Sequence, residues 1–273
     1  MKLIFKLGFL FFYDFFCKKN IYKMKKLLYL FSTILLVFAS CSNDDSTTNQ
    51  NSILVRRIVY TASGYSSALD FTYDGNKIVK VLTGSYKDVY TYTGDLITKV
   101  ENYTDTGSSY GLFSTKDYSY TNGKLVKFTE KYSGDSAYFE TVYTHNNDGT
   151  ISYVKSKIET PVDIAGEGFS GKITISNGNW VKNDKSTSSY VGMITYEYDT
   201  KNSPTKNILG YNLLLNKGEL GVSVNNVVKS TDVRGTDYTG VCTNTYTYDP
   251  NNYPTEQKSY NENALVNTIQ YFY

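Results

Sequence analysis

The chain has few of the residues on which common catalytic centres and covalent cross-links depend. Its 273 residues include one histidine, one tryptophan, three cysteines and four prolines. Cys17 and Cys41 precede the expected folded region, so Cys242 stands alone there, without a partner for an intrachain disulfide. With His145 as the single histidine, a zinc site of the usual kind lacks its three protein ligands. We therefore expect a fold held by packing and hydrogen bonds, without metal or cofactor.

The expected folded region also lacks an excess of positive charge. The whole chain has a formal net charge of +2, but residues 1–40 hold seven of its lysines and only one acid, Asp14. The remaining residues carry 21 basic and 25 acidic side chains, a net charge of −4. Nucleic acids attract proteins with basic patches, so we expect no nucleic-acid partner.

The basic N-terminal region has the features of a secretion signal. Lysines follow Met24, and residues 27–39 form an apolar run of about 13 residues, which suits a signal peptide and is short for a membrane span. The following "FASC" (38–41) resembles the lipobox of bacterial lipoproteins, which implies that Cys41 carries a lipid that attaches the protein to the membrane. We interpret residues 24–40 as the signal peptide and 1–23 as a mis-called upstream extension. An ordinary secretory signal or a short membrane anchor is the alternative.

Residues 41–52 form a polar stretch that we interpret as a flexible linker. Its "SNDD" (42–45) resembles the acidic export signal that follows the lipidated cysteine in Bacteroidota lipoproteins. The resemblance implies an outer-membrane location with exposure at the cell surface; a plain linker, with the protein on the periplasmic face, is the alternative. The triplets "DST" (45–47) and "DSA" (135–137) resemble the O-glycosylation signature of the same envelope proteins, which makes Ser46 and Ser136 candidate sites.

Short alternating runs broken by glycine dominate residues 53–273. The segments "FTYDGNKIVKV" (71–81), "YTYTGDLITKV" (90–100) and "YSYTNGKLVKF" (118–128) share an aromatic-Thr/Ser-Tyr start, a turn with glycine, an aliphatic pair and a lysine. Turns of the Asp-Gly and Asn-Gly type indicate β-hairpins. The alternation places Tyr86, Asp88, Tyr90 and Tyr92 on one face of a strand. We predict a single all-β domain, an antiparallel meander of hairpins in a curved sheet or barrel.

Later segments vary this pattern. "YEYDTKNSPTKN" (196–207) and "YTYDPNNYPTEQ" (246–257) share a wider loop, after which proline is expected to start the next strand. Glycines in residues 157–190 suggest loops and bulges. Residues 212–228 are expected to form two strands around Lys217-Gly218, with a short helix as the alternative. The many tyrosines suit a sheet with a wet face, where rings pack and hydroxyls stay solvated.

Two known groups of proteins share these features. The Tyr-Asp-Gly hairpins resemble the YD repeats of large bacterial shell-forming proteins. Together with the lipobox and the Tyr-Asp-x-x-Asn-x-Pro-Thr segments, they resemble Bacteroidota lipoproteins of unknown function with a porin-like fold, which implies a meander curling toward a barrel. Lys80, Lys99 and Lys127 recur just after the aliphatic pairs, so the strands have polar groups on both faces. We therefore expect a soluble barrel rather than one embedded in a membrane.

No motif in the sequence identifies a catalytic centre. "GSSYG" (107–111) fits a serine-hydrolase pattern, but Ser109 has neither a following helix nor a nearby histidine in sequence. Trp180 is a candidate for stacking on sugar rings, with cross-strand packing as the alternative. We predict a non-catalytic envelope lipoprotein, a binding or assembly module whose partner is a glycan or an envelope protein. The alternative is a glycan-processing enzyme with a carboxylate pair that leaves no spacing signature.

Overall fold

The computed structural model describes residues 52–159, 162–163, 168–188, 190–236 and 238–273. Cys41, Ser46 and the predicted signal and linker lie outside these ranges. Within them, no helix has the length and apolar character needed to cross a membrane. The described residues form these strands: β1 Arg57–Ala62, β2 Tyr65–Asp74, β3 Lys77–Thr83, β4 Tyr86–Thr93, β5 Leu96–Asp105, β6 Tyr110–Thr121, β7 Lys124–Tyr132, β8 Tyr138–His145, β9 Ile151–Glu159, β10 Val162–Asp163, β11 Phe169–Ser176, β12 Asn179–Ser186, β13 Val191–Tyr198, β14 Val227–Arg234, β15 Tyr238–Tyr248, β16 Pro254–Asn261 and β17 Ala264–Phe272.

The strands form one closed antiparallel barrel. Each long strand pairs with its neighbours in sequence, and the two-residue β10 extends the edge of β9 that also pairs with β11. The ring closes because β1 pairs with both β2 and β17. The predicted all-β meander of hairpins is therefore confirmed, and it closes into a barrel of sixteen long strands.

The repeated hairpins share a bulge that explains their aliphatic pair. Tyr73 pairs with Ile78, whereas Thr72 pairs with Lys80, so Val79 is an extra residue in β3. Equivalent register shifts follow the pairs Tyr92–Ile97, Tyr120–Leu125, Ile175–Trp180, Tyr198–Val227 and Tyr248–Pro254. A bulge reverses the alternation of side chains. The first residue of each aliphatic pair, such as Ile78, therefore faces the core, and the lysine that follows the pair, such as Lys80, faces outward.

Side chains from the next hairpin bind the backbone at these bulges. Tyr120 donates a hydrogen bond to the carbonyl of Ile97 (2.8 Å), and the same relation joins Tyr198 to Trp180, Tyr246 to Val227 and Tyr273 to Pro254. The ring nitrogen Nε2 of His145 lies 2.9 Å from the Leu125 carbonyl in the equivalent place. These tyrosine hydroxyls donate hydrogen bonds to backbone carbonyls of the barrel, whereas the sequence suggested that they would stay solvated.

Removal of one such hydroxyl should destabilise the barrel. Tyr120→Phe leaves the Ile97 carbonyl without its 2.8 Å partner, and an unsatisfied buried acceptor costs about 1–3 kcal/mol. We expect urea unfolding to show a loss in that range. Tyr65→Phe is the control, because Tyr65 is 56% exposed and its change should stay within about 0.5 kcal/mol. Equal losses would mean that the hydroxyl contributes nothing specific.

A long segment between β13 and β14 fills one end of the barrel. Residues 199–226, here called the plug, contain the 3-10 turns Tyr211–Leu213 and Leu215–Lys217 and a short helix, α1, Glu219–Val222. Its buried side chains Ile208, Leu214, Leu215 and Val222 join a hydrophobic cluster with inward residues of the barrel, among them Ile78, Ile97, Val100, Leu125 and Phe128. The plug thus forms a core that the barrel alone would leave empty.

The prediction of two strands in residues 212–228 is wrong. Lys217 ends a 3-10 turn, Gly218 caps α1, and the next strand begins only at Val227. The apolar side chains of the plug contact barrel walls on several sides, so they need no period-two alternation. The short helix named as the alternative is present.

The plug is an insertion into a hairpin turn. In the related β15–β16 hairpin, the amide of Asp249 donates to the carbonyl of Tyr253 (2.9 Å), and Pro254 starts β16 as predicted. In the β13–β14 hairpin, the amide of Asp199 donates instead to the carbonyl of Asn226 (3.0 Å), at the far side of the plug. Pro204 therefore lies within the plug, and the prediction that it starts a strand is wrong.

Backbone and amide contacts tie the plug to one end of the barrel. The amide of Leu209 donates to the Asn76 carbonyl (2.9 Å), and the Tyr92 hydroxyl donates to the Leu209 carbonyl (3.0 Å). The side chain of Asn207 donates to the Ile53 carbonyl (3.0 Å), and the amide of Val224 donates to the Gly178 carbonyl (3.2 Å). These partners lie in turns, at the end of strand β4 or in the N-terminal stretch, all at a single end of the barrel.

Candidate functional site

The outer face of the barrel carries ion pairs between strands. Arg57 pairs with Asp70 (2.8 Å), and Lys229 with Glu197 (2.6 Å). Lys127, one of the lysines after an aliphatic pair, lies 3.5 Å from Glu140 of the neighbouring strand. These side chains point away from the core, so the barrel wall presents charge outward near the plug end of these strands.

The inward-facing side chains of the barrel change from apolar to charged along its length. Beyond the apolar core around the plug, Lys116, Glu130, Phe139 and Lys157 lie directly opposite one another across β6 to β9. They share the inward face, because Lys116 is two residues from the buried Tyr118 and Glu130 is two from the buried Phe128. The side chains of Lys116 and Glu130 are 20% and 16% exposed, so solvent reaches them. We call this region, which begins where the plug ends, the polar half of the lumen.

Aromatic rings in this region lie beside cations. The ammonium of Lys155 is 4.9 Å from the ring centre of Phe139 and 5.7 Å from that of Phe169. The ammonium of Lys185 is 4.3 Å from the same Phe169 ring. Cation–π contacts at such distances are worth about 0.5–2 kcal/mol each. Phe169 thereby holds two lysines, from β9 and β12, at one place in the lumen.

The lysines of the polar half affect one another electrostatically. Burial lowers the pKa of Lys155, and the charges of Lys185 and Lys116 lower it further, while Glu130 opposes them. Burial likewise lowers the pKa of Lys116, as does the charge of Lys217 from the plug. Four of the lysines in this part of the lumen thus repel one another and are here called the lysine cluster: Lys116, Lys155, Lys185 and Lys217.

Ion pairs neutralise only part of this charge. Lys116 pairs with Glu130 (3.4 Å), Lys157 with Glu159 (2.7 Å) and Arg234 with Asp232 (2.5 Å). Among the residues that the structure describes, no carboxylate forms an ion pair with Lys155 or Lys185. The polar half of the lumen thus keeps positive charge next to aromatic rings, an arrangement that can bind a negatively charged group.

The candidate site residues that the sequence predicted lie in different parts of the structure. Trp180 is 4% exposed and packs in the core, so its ring offers no face to a ligand. This is the packing role considered as the alternative, and the reason is that Trp180 is the inward residue of a bulge. Ser136 is exposed in the turn between β7 and β8. Ser109 lies in a turn away from the plug, whereas His145 lies at the plug end, so no nucleophile–base pair forms.

Acidic residues that could form the carboxylate pair of an enzyme are divided between the two faces of the wall. Glu140 and Glu197 form ion pairs on the outside, whereas Asp88 accepts a short hydrogen bond from Asn102 on the inside. Burial raises the pKa of Glu219, although its own backbone amide and Tyr196 oppose this, and no second carboxyl contributes. Glu219 lines a small cavity of about 40 Å³. No group of three His, Cys, Asp or Glu side chains suited to a metal occurs among the described residues.

The lysine cluster was missed in the sequence, although a signal for it exists. Lys116 precedes the core residue Tyr118 by two positions, and Lys155 follows the core residue Tyr153 by two. Period-two alternation therefore places both lysines on the inward face. A lysine in phase with buried aromatic residues is the pattern that would have placed these two members of the cluster inside the barrel.

The similarity of this chain to known proteins is found in solved structures. No protein-family model matches the chain, and no curated protein is detectably similar in sequence. A porin-like protein from Bacteroides vulgatus superposes with a TM-score of 0.57 at 17% identity, over 81% of this chain and 99% of that one. A porin-like protein from Bacteroides uniformis gives a TM-score of 0.47 at 10% identity, over 80% and 97% of the two chains. The first likeness supports the fold, an antiparallel β-barrel.

Proposed function

We propose that the chain is a non-catalytic, lipid-anchored envelope protein whose barrel lies in water and binds a ligand in the polar half of its lumen. The observation that carries this proposal is a barrel that is filled at one end and reached by solvent beyond it. The plug packs Leu214 and Leu215 against the barrel wall, which leaves no continuous passage for transport at that end. A lumen with a closed floor and polar walls suits binding rather than conduction.

The outer face favours water over lipid as the surroundings of the barrel. A lysine facing lipid near the midplane costs about 2–4 kcal/mol, and here Lys127 and Lys229 project outward in ion pairs. Such a barrel needs another attachment to the envelope. A lipid on Cys41 would supply it, since acyl chains gain about 0.8 kcal/mol for each buried methylene. We place the protein at the outer membrane, at the cell surface or on the periplasmic face.

The ligand that suits the lining of this lumen is a glycan. Rings such as Phe139 and Phe169 line the wall, and polar side chains such as Asn102 and Asn183 lie on the same inward face. Aromatic rings with a few convergent polar groups are usual in sites that bind small molecules. An envelope protein that inserts a side chain into the lumen is the other partner foreseen.

Detergent phase partitioning tests the lipid anchor and the water-facing barrel together. Full-length protein from bacterial membranes should enter the detergent phase of Triton X-114. A version in which a cysteine-free, cleavable secretory signal replaces residues 1–41 should enter the aqueous phase. If both versions entered the detergent phase, the barrel itself would be embedded in lipid. If both entered the aqueous phase, Cys41 would carry no lipid.

A further inference from the structure

The polar half of the lumen combines features that protein folding alone does not favour. Burying a lysine is costly unless a carboxylate pairs with it, and Lys155 has no ion-pair partner among the described residues. Burial is the main reason that its pKa is lowered; Glu130 opposes this, and the charges of Lys185 and Lys116 lower the pKa further. The contacts with Phe139 and Phe169 supply attraction to both ammonium groups without neutralising them. An anion between them would supply the missing charge.

The geometry of the wall defines where that anion would lie. Lys155 is directly opposite Phe169 in the β9–β11 pairing, and Lys185 is opposite Gly171 two residues along β11. Gly171 has no side chain, and a methyl group there would meet the hydroxyl of Tyr153 at 2.4 Å. Both ammonium groups lie within 6 Å of the centre of the Phe169 ring. Two cations from different strands therefore converge on one point of the inward face.

From this arrangement we infer that the lumen binds an acidic sugar, with its carboxylate or phosphate group held between Lys155 and Lys185 beside Phe169. Ammonium groups form strong, charge-assisted hydrogen bonds to either anion. Phe139 and Phe169 provide apolar surface for the carbon atoms of the sugar ring. The inference rests on the proposed function and narrows it, because it names the charge of the ligand.

Calorimetric titration of full-length protein in a non-ionic detergent tests the inference with three probes. Digalacturonate carries carboxylates, glucose 6-phosphate carries a phosphate, and maltose is neutral. We expect at least one acidic sugar to bind at least tenfold more tightly than maltose, and the tighter of the two identifies the anion. If neither acidic sugar binds more tightly than maltose, the inference is wrong. Maltose binding of equal strength would leave the proposed binding function standing.

Substitutions distinguish the contribution of these two lysines to binding from the effect of the overall charge of the protein. Lys155→Gln/Lys185→Gln removes both contacts and should weaken binding of the acidic sugar roughly 100-fold, about tenfold for each charge-assisted bond. Lys172→Gln/Lys182→Gln removes the same charge from the outer faces of β11 and β12 and should leave the affinity within about threefold. Lys155→Arg/Lys185→Arg keeps both charges and should retain most of the binding. Equal weakening by the inner and outer pairs would overturn the inference.

A loss of binding is informative only if the double variant is folded. The inner double variant loses the repulsion between the two lysines but also their contacts with Phe139 and Phe169, so circular dichroism must show that it is folded before its binding is measured. If it does not fold, the affinity of the unmodified protein must fall as sodium chloride rises, because an interaction between charges is screened by salt. An affinity that does not respond to salt would then contradict the inference.

Discussion

Leu214→Ala should cost the protein about 2–5 kcal/mol of stability, the usual range for a leucine removed from a well-packed core. Leu214 has no exposed surface and lies in the cluster that joins the plug to the barrel. Its loss would leave a cavity between two parts of the chain that are far apart in sequence. Urea unfolding followed by circular dichroism would measure the change in the free energy of unfolding.

The same segment contains the control for this prediction. Leu220 belongs to the plug but is 65% exposed, so Leu220→Ala should change the stability by no more than about 0.5 kcal/mol. Both substitutions remove the same atoms and differ only in the surroundings of the side chain. Similar small effects at both positions would show that the plug does not pack inside the barrel in solution.

The hairpins were predictable because their signals are local. A tight turn at Gly94 or Gly123 needs a positive φ, and alternation on either side places residues such as Tyr90 on one face. Closure was harder to foresee, because it depends on the pairing of β1 with β17. That contact joins the two ends of the domain, and no short pattern in the sequence encodes it.

The bulges show how a pattern can be noticed and still be misread. The repeated aliphatic pairs were visible, but the pairing of Tyr92 with Ile97 leaves Thr98 as an extra residue. Strict period-two counting gives the wrong face on one side of such a bulge. The inward position of Trp180 follows from the bulge, which is why strict alternation did not decide between ligand stacking and packing for its ring.

The plug could not be predicted from the hairpin motif that contains it. The segments that begin at Tyr196 and Tyr246 look alike, and both use an aspartate to accept backbone amides: Asp199 from Lys201 and Asp249 from Asn251. The first turn nevertheless admits the plug before the chain returns at Asn226. The lysine cluster was unforeseen for a related reason, since its members come from four strands or segments that only the closed barrel brings together.

Gly210→Ala should loosen the plug, since this position has two separate constraints. Its φ is +70°, which favours glycine, and a Cβ atom would lie 2.6 Å from the carbonyl oxygen of Asp95 in the barrel. The backbone conformation alone costs about 1–2 kcal/mol, and the clash should add about 1–3 kcal/mol. Hydrogen exchange at the amide of Leu209, which donates to Asn76 at 2.9 Å, would report the loosening directly.

Gly123→Ala is the matched control, because Gly123 has a φ of +73° in a turn at the same end of the barrel but open space around it. It should lose only the conformational part, about 1–2 kcal/mol, and exchange at the Leu209 amide should stay slow. The difference between the two variants therefore measures the contact between plug and barrel. Equal losses of stability, with unchanged exchange at Leu209, would mean that Gly210 does not lie against Asp95.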